Sequence, residues 1–157
     1  MLDRDKYYRI REKAGNQDFT EVLSIEEDIV PLARKCISMG TAILLIKCGV
    51  PGMYYCTSGE ERLRRVSPRI EINAKDWADK HGFEKSFRPD RVLSGTGAGD
   101  TSAAAFLVSI LNGCPIEKCV EYAVATGASC VTAYDALSGL KTFRELDRKI
   151  ESGWEKV

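Results

Sequence analysis

A glycine-rich stretch, S-G-T-G-A-G-D-T at residues 94–101, leads directly into an apolar segment and carries one carboxylate at the junction. Gly95, Gly97 and Gly99 allow the backbone to adopt a positive φ or to approach a ligand closely. The first turn of the following helix offers free amides and the positive end of its dipole, which predicts a phosphate-type anion site. Asp100 would repel a phosphate unless it has a chemical task, and a helix N-terminus favours the ionised form that a general base needs. The alternative is that Asp100 only caps the helix.

A second glycine turn, K-C-G-V-P-G at residues 47–52, follows the apolar run at residues 42–46. That run predicts a strand buried on both faces, as in parallel sheets. Open α/β sheets bind ligands at the carboxyl ends of their strands, so the turn is a candidate ligand site. A G-x-x-G turn is also typical of a plain β-hairpin, with residues 53–57 as the return strand.

The first stretch resembles the C-terminal signature of the PfkB, or ribokinase-like, family of carbohydrate kinases, D-T-x-G-A-G-D followed by a helix of small residues. The resemblance implies that Gly97, Ala98 and Gly99 form an anion hole over the transferred phosphoryl group. It also implies that Asp100 is the catalytic base, which takes the proton of the acceptor hydroxyl.

Further nucleotide-binding residues are implied by the same resemblance. Members of the family carry a K-x-G-x-x-G or similar turn that touches the nucleotide phosphates, which makes Lys47, Gly49 and Gly52 candidates for ATP binding, together with Thr96 of the glycine-rich stretch. The first Asp of the signature helps to hold a monovalent cation in many members. It is Ser94 here, which puts activation by such a cation in question.

The helix predicted to begin at Pro115 matches the one that forms a wall of the adenine pocket in the family, with Val124, Gly127 and Ala128 as candidate contacts. A tightly packed helix pair explains such small residues equally well. The loop at residues 134–139 is similar to the family's cation-holding segment.

Length and composition indicate one globular domain. The 157 residues are 44% apolar and 29% charged, with 23 acidic and 23 basic side chains, so no nucleic-acid or membrane partner is expected. The six cysteines form no C-x-x-C pair, which predicts no metal site and fits a cytoplasmic location. The longest apolar run is far shorter than the ~20 residues that span a bilayer, and the charged residues 1–15 do not form a signal peptide.

Local patterns place these sites on alternating elements. Helices are predicted at residues 3–14, 24–39, 100–111, 115–131 and 142–150, and strands at residues 42–46, 53–57 and 87–93. Residues 58–87 are expected to form loops and short strands, with His81 in a solvated loop and Trp77 over an edge of the core. The predicted fold class is α/β, a ribokinase-like three-layer α/β/α sandwich that is Rossmann-like with a mostly parallel sheet.

The predicted function is ATP-dependent phosphorylation of a sugar or nucleoside-like hydroxyl, with Mg²⁺ bridging the phosphates. The expected partners are ATP and a small-molecule acceptor, with homo-oligomerisation possible. Residues 1–3 are similar to a segment that follows an S-x-x-E element in a subgroup of these kinases. Residues 1–157 are therefore expected to be the C-terminal, nucleotide-binding part alone, without the sugar-binding part and lid, and to be inactive by themselves. Two alternatives stay open: a non-catalytic nucleotide-binding or regulatory module, and a vitamin kinase acting on a hydroxymethylpyrimidine.

Overall fold

The computed structural model describes residues 4–66, 70 and 72–157. The first elements are α1 (Arg4–Ala14), a 3₁₀ turn (Phe19–Glu21), a π-helical turn (Ile25–Ile29) and α2 (Val30–Ser38). The first two predicted helices are confirmed where they are described, whereas residues 1–3 lie outside the described residues. Ser24 Oγ accepts a hydrogen bond from the Glu27 amide at 3.2 Å, as its capping-box pattern predicts.

The strands of the described residues form one antiparallel sheet in the order β1-β2-β3: β1 (Ile43–Lys47), β2 (Gly52–Thr57) and β3 (His81–Lys85). β1 and β2 are joined by residues 48–51 alone, and so short a connection joins only antiparallel strands. The hairpin alternative is therefore confirmed. The expected parallel pairing is wrong for the part of the sheet that the structure describes.

In the described residues between β2 and β3 lie two short helices, α3 (Glu60–Leu63) and α4 (Ala74–Trp77). Trp77 is buried in the main core cluster, in agreement with a packing role. His81 starts β3 instead of lying in a loop, although its side chain is exposed. Its strand position follows from pairing with Cys56 of β2, a long-range contact that no local pattern signals.

The strand predicted at residues 87–93 is wrong. Phe87 makes a single bridge with Lys156, and its ring stacks on Trp154 with a centroid distance of 4.5 Å. The Leu93 amide donates to Val131 O at 2.8 Å, at the end of a helix. The backbone of this segment therefore pairs with the C-terminal tail and with the end of a helix. Pro89 also lacks the backbone amide that a central strand donates to its neighbour.

Three longer helices complete the chain: α5 (Ala98–Leu111), α6 (Ile116–Cys130) and α7 (Phe143–Glu151). α7 begins with a full capping box between Thr142 and Glu145, as predicted. α5 and α6 pack against each other along their length, and α6 contacts β2 and β3. Within the part of the chain that the structure describes, no helix is both long and apolar enough to cross a membrane.

The sheet is covered by helices on both faces, which confirms the predicted α/β/α layering. Because side chains alternate along a strand, Ile43 and Leu45 of β1 join the core cluster that contains α6. Leu44 and Ile46 point to the opposite face and pack with Ala33 of α2. The end of β1 thus lies between two helical layers.

Candidate active site

The glycine-rich loop turns sharply into α5 at Gly97. Gly97 is the N-cap residue and adopts the left-handed conformation, with φ of 80°. A Cβ at this position would overlap the side chain of Ala136 and would lie 3.1 Å from its Cα. Glycine is therefore required here, both for the turn and for the close approach of the loop at residues 133–139.

The first turn of α5 presents free amides. The Thr101 amide donates to Gly97 O at 2.8 Å, whereas the amides of Gly99 and Asp100 have no hydrogen-bond partner among the residues that the structure describes. Unpartnered amides at the positive end of a helix dipole form an anion-binding arrangement. The predicted anion hole therefore has a suitable backbone geometry.

Lys47 reaches the same place from the end of β1. Its Nζ lies 2.6 Å from the position that a Cβ of Gly99 would occupy. Lys47 makes no ion pair within the described part of the chain, and an ammonium group beside a helix N-terminus is unfavourable unless an anion lies between them. The structure thus brings together two predicted site residues, Lys47 and Gly99, that are far apart in sequence.

Asp100 is the third residue of α5, and its side chain is exposed. The N-cap alternative for Asp100 is wrong, because Gly97 occupies that position and no amide is capped by the Asp100 carboxylate in the described structure. The carboxylate is therefore free to contact a ligand at the mouth of the glycine-rich loop.

A buried thiol contacts the glycine-rich loop. Cys130 Sγ lies 3.6 Å from Thr96 O and 3.5 Å from Ala136 O, so it joins the glycine-rich loop to the loop at residues 133–139. Sequence reasoning missed Cys130 and Ala136, because nothing local signals a contact across 34 residues.

Asp135 fixes the second loop by accepting hydrogen bonds from the amides of Leu137 and Ser138, both at 2.8 Å. The hydrogen bonds from Ser138 and Leu137 lower the pKa of Asp135 to about 2. An Asp two and three residues before these amides is typical of an Asx turn, a local signal that could have predicted this turn from the sequence.

Ser94, at the signature position for a monovalent cation, is engaged within its own loop. Its Oγ accepts a hydrogen bond from the Thr96 amide at 3.1 Å. Among the described residues no group of three or more His, Cys, Asp or Glu side chains converges on a point where a metal ion would fit.

Gly49 lies in the β1–β2 turn, and Gly52 is the first residue of β2. Gly52 has φ of 140°, and a Cβ there would lie 3.0 Å from Lys85 Cα and from Ser86 N, so the pairing of β2 with β3 requires glycine. A Cβ on Gly49 would lie 2.6 Å from Thr20 Oγ1. These packing constraints explain both glycines, and their contact with nucleotide phosphates stays a prediction.

Val124, Gly127 and Ala128 lie on α6. Val124 and Ala128 belong to the main core cluster, and a Cβ on Gly127 would lie 3.4 Å from Ala98 O of α5. The structure therefore supports the packed helix pair as the reason for these small residues. Their part in an adenine pocket stays a prediction.

The layered fold is that of an α/β protein, and its glycine-rich helix N-terminus beside Lys47 is an arrangement that suits an anion. Residues 12–142 match the pfkB family carbohydrate kinase domain. The chain therefore belongs to the pfkB family of carbohydrate kinases, and the family resemblance seen in the sequence is confirmed.

Relatives support this assignment. The chain is 30% identical over 127 residues to an uncharacterized sugar kinase of Archaeoglobus fulgidus, covering 80% of this chain and 41% of that protein. The structure of Arabidopsis thaliana ribokinase complexed with ribose and ATP is similar at a TM-score of 0.61 and 24% identity, covering 78% of this chain and 33% of that one. A putative Escherichia coli ribokinase II in complex with ATP and Mg²⁺ is similar at a TM-score of 0.58 and 21% identity, covering 83% of this chain and 34% of that one.

These likenesses confirm the ribokinase-like fold class. The chain spans about two fifths of the length of the Archaeoglobus relative and about one third of the two ribokinase structures.

Proposed function

We propose that this chain supplies the ATP site, the anion hole and the catalytic base of an ATP-dependent carbohydrate kinase. The observation that carries the proposal is the position of Lys47 beside the free amides of Gly99 and Asp100. An ammonium group close to two free amides suits a phosphate, and each charge-assisted hydrogen bond to it contributes about 1.5–3 kcal/mol.

In the proposed reaction the acceptor hydroxyl attacks the γ-phosphorus of ATP, the new O–P bond forms, and the bond to the β-phosphate oxygen breaks to release ADP. Asp100 takes the proton of the hydroxyl. The amides at the start of α5 and Lys47 hold the charge on the phosphoryl oxygens, which is the main catalytic requirement of phosphoryl transfer. In this scheme the nucleotide is bound and oriented by the other predicted site residues, namely Gly49, Gly52, Thr96, Val124, Gly127 and Ala128.

When it is bound with ATP, Mg²⁺ would neutralise part of the negative charge on the phosphates. Such an ion needs few protein ligands, because Mg²⁺ in phosphate sites is held mainly by phosphate oxygens and water.

A sugar acceptor is favoured over a pyrimidine alcohol, since the family is one of carbohydrate kinases and the Archaeoglobus relative is named a sugar kinase. We also place the reaction in the cytoplasm. All six cysteines are free, which suits a reducing compartment that contains ATP.

The first test is ATP binding by the 157-residue chain, measured by isothermal titration calorimetry with Mg²⁺ present. Lys47→Met should weaken ATP binding about tenfold or more, because it removes one charged phosphate contact. Lys75→Met, which neutralises an exposed lysine of α4, is the matched control and should leave the affinity unchanged. Absence of ATP binding by the unaltered chain, or equal affinities of the two variants, would overturn the proposed site.

A further inference from the structure

The last turn of α6 contacts the start of the glycine-rich loop. The Leu93 amide donates to Val131 O at 2.8 Å, and the Ser94 amide donates to the same oxygen at 3.4 Å. Val131 is the C-cap residue of α6, and the carbonyls at the end of a helix have no partner within it. The start of the glycine-rich loop is therefore fixed to the end of α6.

The loop at residues 133–139 packs on the same turn of α6. A Cβ on Gly139 would lie 2.5 Å from Ser129 O, so the end of this loop is in close contact with the backbone of the helix. Ala136, in the middle of the loop, lies against Gly97, because a Cβ on Gly97 would overlap its side chain. The two loops therefore contact α6 and each other.

The side chain of Cys130 lies between the two loops and is fully buried. Its Sγ donates to Thr96 O at 3.6 Å and to Ala136 O at 3.5 Å, and these two oxygens share the single hydrogen of the thiol. The same sulfur lies 3.8 Å from the position that a Cβ of Gly97 would occupy. The Cys130 thiol is therefore in contact with the residue before the N-cap of α5 and with the N-cap itself.

α5 has a separate contact with α6 one turn before Cys130. Ser102 Oγ donates to Ala98 O at 2.7 Å, and a Cβ on Gly127 would lie 2.5 Å from Ser102 Oγ. This contact does not involve the Cys130 thiol, so the packing of α5 on α6 should survive the removal of that thiol. The loop side of the turn at Gly97 depends on the thiol instead.

We propose that Cys130 is a positioning residue for the anion hole and acts on it through the Thr96 carbonyl. The inference rests on the proposed function, in which the amides of Gly99 and Asp100 bind a phosphate of ATP. Thr96 directly precedes the N-cap residue Gly97, so a shift of its peptide group changes the direction of the amides in the first turn of α5. Hydrogen bonds weaken steeply as their angle departs from linear, and a small change of direction therefore weakens phosphate binding.

The test compares two substitutions of Cys130 in the 157-residue chain. Cys130→Ala removes the hydrogen-bond donor, whereas Cys130→Ser keeps a donor on the same Cβ and is the conservative variant. In calorimetric titration with ATP and Mg²⁺, Cys130→Ala should weaken ATP binding about fivefold or more, because the amides lose their alignment. Cys130→Ser should restore most of this loss.

Cys119→Ala is the matched control. Cys119 lies on the same helix, is equally buried and donates to Cys114 O at 3.5 Å. It precedes Cys130 by about 16 Å along the helix axis. Both alanine variants lose a buried thiol and should lower the free energy of unfolding, but only Cys130→Ala should lose ATP affinity. A merely structural role of Cys130 would make the two variants bind ATP alike.

A second readout needs no nucleotide. The Thr101 amide donates to Gly97 O at 2.8 Å, so its hydrogen exchange reports on the turn that the thiol contacts. Exchange of this amide should be about tenfold or more faster in Cys130→Ala than in Cys119→Ala. If the unaltered chain does not bind ATP, the proposed function fails, and the Thr101 exchange alone decides the role of Cys130.

Three results would overturn the positioning role. The first is equal Thr101 exchange in the two alanine variants. The second, where ATP binds, is equal ATP affinity of these variants. The third is a loss of affinity in Cys130→Ser as large as that in Cys130→Ala.

Discussion

The Asp100 carboxylate lies at the start of α5 and caps no amide among the described residues. A substitution at Asp100 should therefore change catalysis without changing folding. Asp100→Asn preserves the shape but cannot accept the hydroxyl proton as a carboxylate does. In the longest form of the protein that phosphorylates an acceptor, we expect kcat to fall roughly 10²- to 10⁴-fold. ATP affinity should hold or rise, because a negative charge next to the phosphates is removed.

The melting temperature provides the control for this prediction. Because Gly97 is the N-cap, both Asp100→Asn and Asp100→Ala should unfold within a few degrees of the unaltered protein. Steady-state kinetics and thermal unfolding measure the two effects. A variant Asp100→Asn that retains most of kcat would remove Asp100 from the catalytic role.

Gly97 and Gly99 both belong to the proposed anion hole, but their substitutions should have different effects. Gly97→Ala forces a side chain into a left-handed conformation and onto Ala136, which should cost about 1–3 kcal/mol of stability. Gly99→Ala meets only the flexible end of Lys47, so folding should be nearly unaffected while the displaced ammonium weakens ATP binding. Denaturant unfolding and calorimetric titration separate the two outcomes.

A double-mutant cycle checks the cause assigned to Gly99. If Gly99→Ala acts by moving Lys47, it should cost much less affinity in a Lys47→Met background than alone. Additive losses would show that the methyl group obstructs the phosphate directly.

At the scale of elements, α7 is joined to α6 by a polar cluster. Lys118 Nζ lies 2.8 Å from Asp147 Oδ1, and the Tyr122 hydroxyl donates to Asp147 Oδ2 at 2.8 Å. The Tyr122 ring also stacks on Phe143 with a centroid distance of 4.2 Å. Burial raises the pKa of Asp147, but the hydrogen bonds from Lys118 and Tyr122 outweigh it and lower this pKa overall.

The lowered pKa of Asp147 sets a pH dependence. A carboxyl whose folded pKa lies below its unfolded value of about 3.9 contributes stability above that value and loses it as pH falls through the folded pKa. Asp147→Asn should therefore cost about 1 kcal/mol at pH 7, and the difference from the unaltered protein should vanish near pH 2. Denaturant unfolding at both pH values measures this. As a control, Glu61→Gln removes an exposed ion pair and should lower the free energy of unfolding by less than about 0.5 kcal/mol. If Asp147→Asn costs no more than this control at pH 7, the contacts of Asp147 with Lys118 and Tyr122 do not stabilise the fold.

The elements also show what the sequence could and could not predict. The helices were predictable because caps such as Thr142 with Glu145 and apolar periodicity act over a few residues. The antiparallel pairing of β1 was not predicted, because strand pairing depends on partners that are distant in sequence. Residues 87–93 likewise pair with the C-terminal tail and with the end of α6. The sharp turn at Gly97 was predictable from the glycines of its loop, whose anion site stays a prediction. The contacts of Cys130 and Lys47 with this loop depend on the fold and were not predictable.

At the scale of the whole molecule, the chain carries the groups that the proposed reaction needs for ATP binding and for proton transfer. The free amides, Lys47 and Asp100 suit ATP and proton transfer, whereas the Asp100 side chain, which would receive the proton of the acceptor, is exposed to solvent.

This asymmetry predicts ATP binding without transfer for the 157-residue chain alone. Orientation of the acceptor is worth on the order of 7–11 kcal/mol in favourable cases, so the purified chain should show negligible phosphorylation of ribose or any common sugar. A coupled ADP assay with a panel of sugars, run beside calorimetric ATP titration, measures both properties in one preparation. Turnover by the chain alone at the rate of an ordinary enzyme would mean that the described residues already contain an acceptor site.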